Sequence, residues 1–274
     1  MNIGIFYFSG TGTTAKLASE ILKSFKNRGN KGKLIRLTAK LLDSKFNFDI
    51  SELDILGFGA PVYSMSAPRL AIKIIKSLYT EISDETAFFV FTTAHGFLGV
   101  GNTCWDLYKY PARRTNRYLG KIKAYGTNNI RWWRPKCNKK KPQNDGLNTF
   151  HLAKVERFVE RILNNYKNQN YKKEHRNVFW SLWSFLLTAR WEMWIFLGKK
   201  YANRDRCNKC GVCAEEICPS GAIGLDEERY PVFDESKCVA CNGCVNLCPQ
   251  LAINSKLTKK RYPYTTYREQ IIRR

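Results

Sequence analysis

The sequence predicts an α/β protein: a doubly wound, five-stranded parallel sheet, followed by a small α+β unit rich in cysteine. Three observations carry this. Apolar runs of strand length alternate with helix-period segments over roughly the first 165 residues. A turn dense in hydroxyls and glycine follows the first run, and eight of the ten cysteines fall between Cys207 and Cys248. At 274 residues and 44% hydrophobic content, the chain is long enough for two domains and apolar enough to bury a core, which excludes a disordered or low-complexity protein.

The elements follow in order. Ile3 to Phe8 is an apolar strand, and Thr14 to Asn27 is a helix with Leu17, Ile21, Leu22 and Phe25 on one face. Leu34 to Leu37 and Leu53 to Gly59 read as the next two strands. Pro68 opens a helix that runs to Leu78, because proline lacks only an N–H that the first turn leaves unused. Ala87 to Phe91 is a wholly apolar strand, Cys104 to Lys109 a short helix ended by Pro111, and Lys121 to Tyr125 the fifth strand. The last helix, Leu147 to Leu163, aligns Leu152, Val155, Phe158, Val159 and Ile162.

The pattern divides the chain into a first domain (1–165), an aromatic-rich helical linker (166–203), a cysteine-rich domain (204–255) and a basic tail (256–274). Within the linker, Trp180, Trp183, Leu187, Trp191 and Trp194 recur at steps of three and four. Arg190 and Glu192 break the apolar stretch 178–197, leaving it too short to span a bilayer. A packed connecting helix is the expectation, and an in-plane helix making peripheral membrane contact is the alternative. The N-terminus has no leader-like pattern, which predicts a cytoplasmic protein with reduced thiols, so metal is a better reading than disulfides.

The cysteines form two groups, Cys207-x2-Cys210-x2-Cys213-x4-Cys218-Pro219 and Cys238-x2-Cys241-x2-Cys244-x3-Cys248-Pro249. The second has the spacing of bacterial iron–sulfur runs, and the first has one extra residue among Ala214, Glu215, Glu216 and Ile217. An internal repeat underlies both. Pro219, Ala222 and Ile223 recur at an offset of 30 as Pro249, Ala252 and Ile253, whereas Cys207 and Cys238 are offset by 31. Zinc sites favour paired C-x2-C knuckles, a poorer match to two triplets each followed by a distal Cys-Pro. The segment resembles the bacterial two-4Fe–4S ferredoxins. That resemblance implies two clusters with crossed ligands: Cys207, Cys210, Cys213 and Cys248 for the first, and Cys238, Cys241, Cys244 and Cys218 for the second.

The turn after strand one reads Ser9-Gly10-Thr11-Gly12-Thr13-Thr14 and leads into a helix. N–H donors, hydroxyls and a helix N-terminus meet there, as phosphate binding requires. Neither a P-loop ending nor G-x-G-x-x-G is present. Ser9, Thr11, Gly12 and Thr14 fill a Ser/Thr-x-Thr-Gly-x-Thr pattern, and the turn resembles the FMN phosphate loop of flavodoxins. The resemblance implies a flavodoxin-like sheet, strand order 2-1-3-4-5, with the flavin beside the loops after strands one, three and four. Those later loops carry Ala60, Pro61, Val62, Tyr63 and Ser64, and Thr93, Ala94, His95 and Gly96. Tyr63 is the candidate for stacking on the flavin, and His95 either touches the ring or lines the loop.

Together the halves resemble bacterial flavodoxin–ferredoxin fusion proteins, which implies an electron-transfer protein using FMN and two 4Fe–4S clusters. An FMN-dependent iron–sulfur oxidoreductase acting on a small molecule is the second reading, and a basic binding protein is the third. The formal net charge of +23 predicts a redox protein partner with an acidic docking face. Trp132 and Trp133, flanked by Arg131 and Arg134, could stack on bases, but no nucleic-acid motif accompanies them. Cys104 and Cys137 are expected to be ordinary thiols.

Overall fold

The computed structural model describes residues 1–43, 49–95, 99–130, 146–147, 149–187, 199–255 and 262–272. Trp132, Trp133, Cys137, the lysines at 139–141, Gly96 and the second half of the 178–197 stretch lie outside them.

Five strands build one parallel sheet: β1 (Asn2–Tyr7), β2 (Lys31–Arg36), β3 (Ile55–Pro61), β4 (Ala87–Ala94) and β5 (Tyr118–Tyr125). They lie in the order β2-β1-β3-β4-β5, the flavodoxin-type order that the sequence predicts. Side chains alternate across the sheet as a strand's period of two requires. Ile3, Ile5, Phe89 and Phe91 face helix α1 (Thr13–Lys26), while Phe6, Phe8, Phe88 and Val90 join the opposite core. The short helix α2 (Lys40–Asp43) follows β2. Helices α3 (Arg69–Leu78) and α4 (Thr103–Tyr108) cover that second face through Ala71, Ile74, Ile75, Cys104 and Leu107. Helix α5 (Thr149–Lys167) buries Val155, Phe158, Val159 and Ile162 beside α1. With both faces covered, the strands can be apolar throughout, which is why β4 is buried at every position.

Helix α6 (Val178–Leu187) falls where the tryptophan pattern places a helix, and it exposes Val178, Phe179 and Leu182. Among the described residues, no helix is long and apolar enough to cross a membrane.

The cysteine-rich unit is a pseudo-symmetric pair of antiparallel ladders. β6 (Lys200–Ala202) pairs with β9 (Ile253–Ser255), and β7 (Ile223–Leu225) pairs with β8 (Pro231–Phe233). β6 lies inside the expected linker, so the unit starts before residue 204. This unit is not a bead on a string. Val212, Ile217, Val245 and Leu247 share one apolar cluster with Ile3 and Leu17 of the sheet domain. Arg36, at the end of β2, donates to the carbonyls of Glu216 (2.5 Å) and Ile217 (2.8 Å), and Ala39 N–H donates to Pro219 O at 2.7 Å.

The extra residue of the first cysteine group explains those two carbonyls. The second group turns through an α-helical segment, Gly243–Leu247, whereas Cys213–Ile217 forms a π turn closed by Cys218 N–H to Cys213 O at 3.1 Å. A π turn absorbs one inserted residue and leaves the chain beyond it in place. Ala222 N–H therefore meets Cys218 Sγ at 3.3 Å, and its repeat mate Ala252 N–H meets Cys248 Sγ at the same distance. Hydrogen bonds to a charged donor contribute about 1.5–3 kcal/mol each when both partners are well placed. Arg36→Met is expected to lower the melting temperature and to speed amide exchange around 216–219. Unchanged exchange there would show that Arg36 does not anchor the unit.

Candidate cofactor sites

The structure brings cysteines of the two motifs near one another in two places. One small cavity is lined by Cys218, Cys238, Cys241 and Cys244, with Lys200, Phe233 and Glu235 at its wall. On the other side of the pseudo-symmetry, Cys213 is pushed up to about 12 by burial, then by its neighbours Cys248 and Cys210, with Cys207 beyond them. Burial and then the Cys218 and Cys238 thiols push Cys241 up to about 12 as well. Such thiols hold their protons until a metal displaces them, so assembly is coupled to proton release. Backbone N–H groups point at the sulfurs: Ala240 to Cys238 at 3.4 Å, besides the Ala222 and Ala252 bonds. Donors of this kind offset the negative charge of a bound cluster.

In the sequence Lys200 stands with Lys199 and Arg204 as basic support for an in-plane membrane helix, not as part of a cluster site. Its side chain is only 6% exposed; its backbone N–H donates to Glu235 Oε1 at 2.8 Å and its Nζ to Glu235 Oε2 at 3.3 Å. Burial works to lower its pKa, while the Cys238 and Cys244 sulfurs and then Glu235 raise it, for a net rise.

The Ser9–Thr14 loop sits at the C-terminal ends of the strands, where β1 and β3 send their connections to opposite faces. A crevice at that point is where such sheets take ligands. Gly12 caps α1 with φ of 95°, a left-handed conformation that glycine adopts without penalty. The Gly12 N–H meets Ser9 Oγ at 3.1 Å, and the Thr14 and Thr93 hydroxyls lie 2.7 Å apart. Ser9, Thr11 and Thr14 are all buried. Among the described residues, the N–H groups of Thr13, Thr14 and Ala15 meet no acceptor. A buried helix start with orphan donors suits an anion, so the chain's own residues fit the phosphate end of an FMN.

The cover over this loop comes from the far end of the chain. A side chain at Gly10 would collide with Cys241 Cβ at 2.7 Å, and one at Gly243 would meet Gly10 O at 2.5 Å. The loop therefore packs directly on the cage of Cys218, Cys238, Cys241 and Cys244. After β5, Asn129 joins the same contact, donating to Cys241 O at 2.9 Å and accepting from Asn246 Nδ2 at 2.7 Å. The tail reaches the loop too. Thr13 donates to Tyr264 OH at 3.0 Å, Tyr264 N–H donates to Asn246 Oδ1 at 2.8 Å, and the Tyr267 carbonyl lies against Gly12. Tyr264 is fully buried, with Ile271 and Ile272 close to it in burial. The tail is thus a packed strap, which its basic composition did not announce.

The second and third candidate loops are closely packed over much of their length. Tyr63 packs edge-on against Phe8, with ring centroids 6.3 Å apart, and pairs with Ser66 across a tight turn. Ser64 and Met65 form that turn with φ of 47° and 65°. Burial holds the Tyr63 phenol well above its usual range, and the Cys241 thiol adds to this. Ala60 is buried in β3, with Pro61 and Val62 at its half-buried end, and Val62 N–H donates to Thr93 O at 2.9 Å. Ala94 closes β4, and His95 is exposed with Nδ1 3.1 Å from Gly126 O. Cys104 is a buried thiol pushed up to about 11 by burial, with no part in either site.

Comparison with known proteins agrees with the cysteine geometry. Residues 206–252 match the family described as the 4Fe-4S dicluster domain. A component of the ion-translocating oxidoreductase complex of Methanosarcina acetivorans is 47% identical over 47 residues, 17% of this chain. The match spans only 16% of that protein's length. Among solved structures, a flavodoxin from the domain Archaea aligns over 61% of this chain and 99% of its own, at 13% identity and a TM-score of 0.43. Flavodoxin 1 of Bacillus cereus aligns over 60% and 98%, at 14% identity and a TM-score of 0.43. The fold assignment rests on the strand order itself. The chain joins a flavodoxin-like sheet domain to a 4Fe–4S dicluster domain of the ferredoxin type.

Proposed function

We propose that the protein is an electron carrier that passes electrons between a redox partner, two 4Fe–4S clusters and an FMN held at the Ser9–Thr14 loop. The observation that supports this most is the direct packing of Gly10 on Cys241, which puts one thiol cage against the phosphate loop. The cages would be Cys207, Cys210, Cys213 with Cys248, and Cys238, Cys241, Cys244 with Cys218. FMN, when bound, supplies one- or two-electron chemistry to a partner limited to single electrons. The chain's part is to hold the loop and the cage in fixed register through Arg36, Asn129 and Asn246, and to keep water from both. A tether would only raise effective concentration; a shared apolar core fixes distance as well.

The charge of +23 supports an acidic docking face on the partner, and a cytoplasmic setting suits clusters built on thiolates. Contact of α6 with a membrane surface is a separate proposal, supported by exposed Val178, Phe179 and Leu182; vesicle co-sedimentation tests it. The small-molecule reductase is the alternative reading. A large groove of the described residues is lined by Ser66, Trp105, Lys109, Arg113 and Arg176, and by neither Tyr63 nor His95.

The deciding measurement is anaerobic purification followed by iron, sulfide and flavin analysis. About eight iron atoms and about one FMN per chain are expected. Folded protein carrying zinc and no flavin would end this reading.

A further inference from the structure

The two cages are built by one repeated unit, so any difference between them stands out against a built-in control. The repeat carries Cys207 onto Cys238 at an offset of 31 and therefore carries Lys200 onto Pro231. The strand pairing keeps the same correspondence: Lys200 lies opposite Ser255 in one ladder, and Pro231 lies opposite Leu225 in the other. At one cage, then, the position holds a buried ammonium at the wall of a cavity lined by Cys218, Cys238, Cys241 and Cys244. At the equivalent position of the other cage stands a proline, with no charge and no donor. Net charge and hydrogen bonds to the sulfurs are among the main determinants of a cluster's reduction potential. A cation held in a poorly solvated site acts more strongly than the same cation in water, because little solvent screens it.

We propose that Lys200 is a positioning residue that makes the cluster of Cys218, Cys238, Cys241 and Cys244 the higher-potential member of the pair. Added negative charge on reduction is stabilised where the ammonium lies, so a shared electron rests at the cage packed on the Ser9–Thr14 loop. Glu235 moderates the effect, since its carboxylate meets Lys200 Nζ at 3.3 Å and cancels part of the field. The inference rests on the two-cluster reading and not on the flavin.

The test is a redox titration of the anaerobically purified full chain, followed by electron paramagnetic resonance, with iron counted on every sample. About eight iron atoms and two reducible signals in the unaltered chain establish the two-cluster reading first. The two midpoints are then expected to differ. Lys200→Met should lower the higher midpoint and leave the other in place, while Lys200→Arg should restore most of the gap. Equal movement of both midpoints, or none, overturns the proposal. Should Lys200→Met lose iron, Glu235→Gln gives the answer with opposite sign. It keeps the ammonium and removes its counter-charge, so the higher midpoint should rise, and an unmoved midpoint in that variant equally overturns the role.

Discussion

Cys218→Ser is expected to empty one cage and spare the other, so that iron falls from about eight to about four atoms per chain. Cys218 lies one residue beyond the π turn Cys213–Ile217, yet it lines the cavity with Cys238, Cys241 and Cys244 and not with its own triplet. A count of iron in the single variant cannot by itself separate crossed ligation from ligation within each motif, since both predict the loss of one cluster. Pairs of substitutions do separate them. If the cages are crossed, Cys218→Ser with Cys241→Ser removes two ligands of one cluster, and the double variant keeps the same half of the iron. Cys218→Ser with Cys213→Ser strikes both clusters and leaves close to none. Ligation within motifs predicts the reverse. Residues acting as one unit are non-additive and residues in separate units add, and here the two models place that boundary differently.

Much of the sheet domain is legible from the sequence because its information is local. Apolar runs such as Ala87–Phe91 have the length and β-favouring residues of buried strands, and Pro68 marks a helix start before any tertiary contact is known. The cysteine spacing is equally plain, since a tight loop offering three thiolates is itself a local structure. The features that escape such reading depend on contacts between distant parts of the chain. The extra residue before Cys218 looks like a defect in a motif; its use appears only beside Arg36, 180 residues from the Glu216 carbonyl that it meets. Lys200 reads, with Lys199 and Arg204, as basic support for a membrane-surface helix, and only the β6–β9 ladder brings it to the thiols. The sign that could have found it is the repeat, because extending the offset upstream from Cys207 and Cys238 pairs a lysine with a proline. Tyr63, the candidate for stacking on the flavin, packs edge-on against Phe8, a contact that no single loop could foretell.

Ending the chain after Ser255 is expected to uncover the Ser9–Thr14 loop and to destabilise the whole protein. Tyr264, Ile271 and Ile272 are each less than a tenth exposed, and full burial of a large apolar side chain contributes about 1.5–3 kcal/mol. Three such residues give a loss of about 4 kcal/mol or more, a large part of the ~5–15 kcal/mol by which a domain is stable. The truncation alone therefore confounds unfolding with uncovering. Tyr264→Phe separates the two, because it keeps the ring in the core and deletes only the hydroxyl that accepts from Thr13 at 3.0 Å. Thermal stability should fall by about 1 kcal/mol or less in that variant, the scale of a single neutral hydrogen bond. If the strap closes the loop, amides of Thr11–Ala15 should exchange faster in Tyr264→Phe, and FMN should leave faster in both variants, by about tenfold or more in the truncation for each ~1.4 kcal/mol of lost cover. Flavin release that is unchanged in a folded truncation would mean that the tail holds the two units together without guarding the loop.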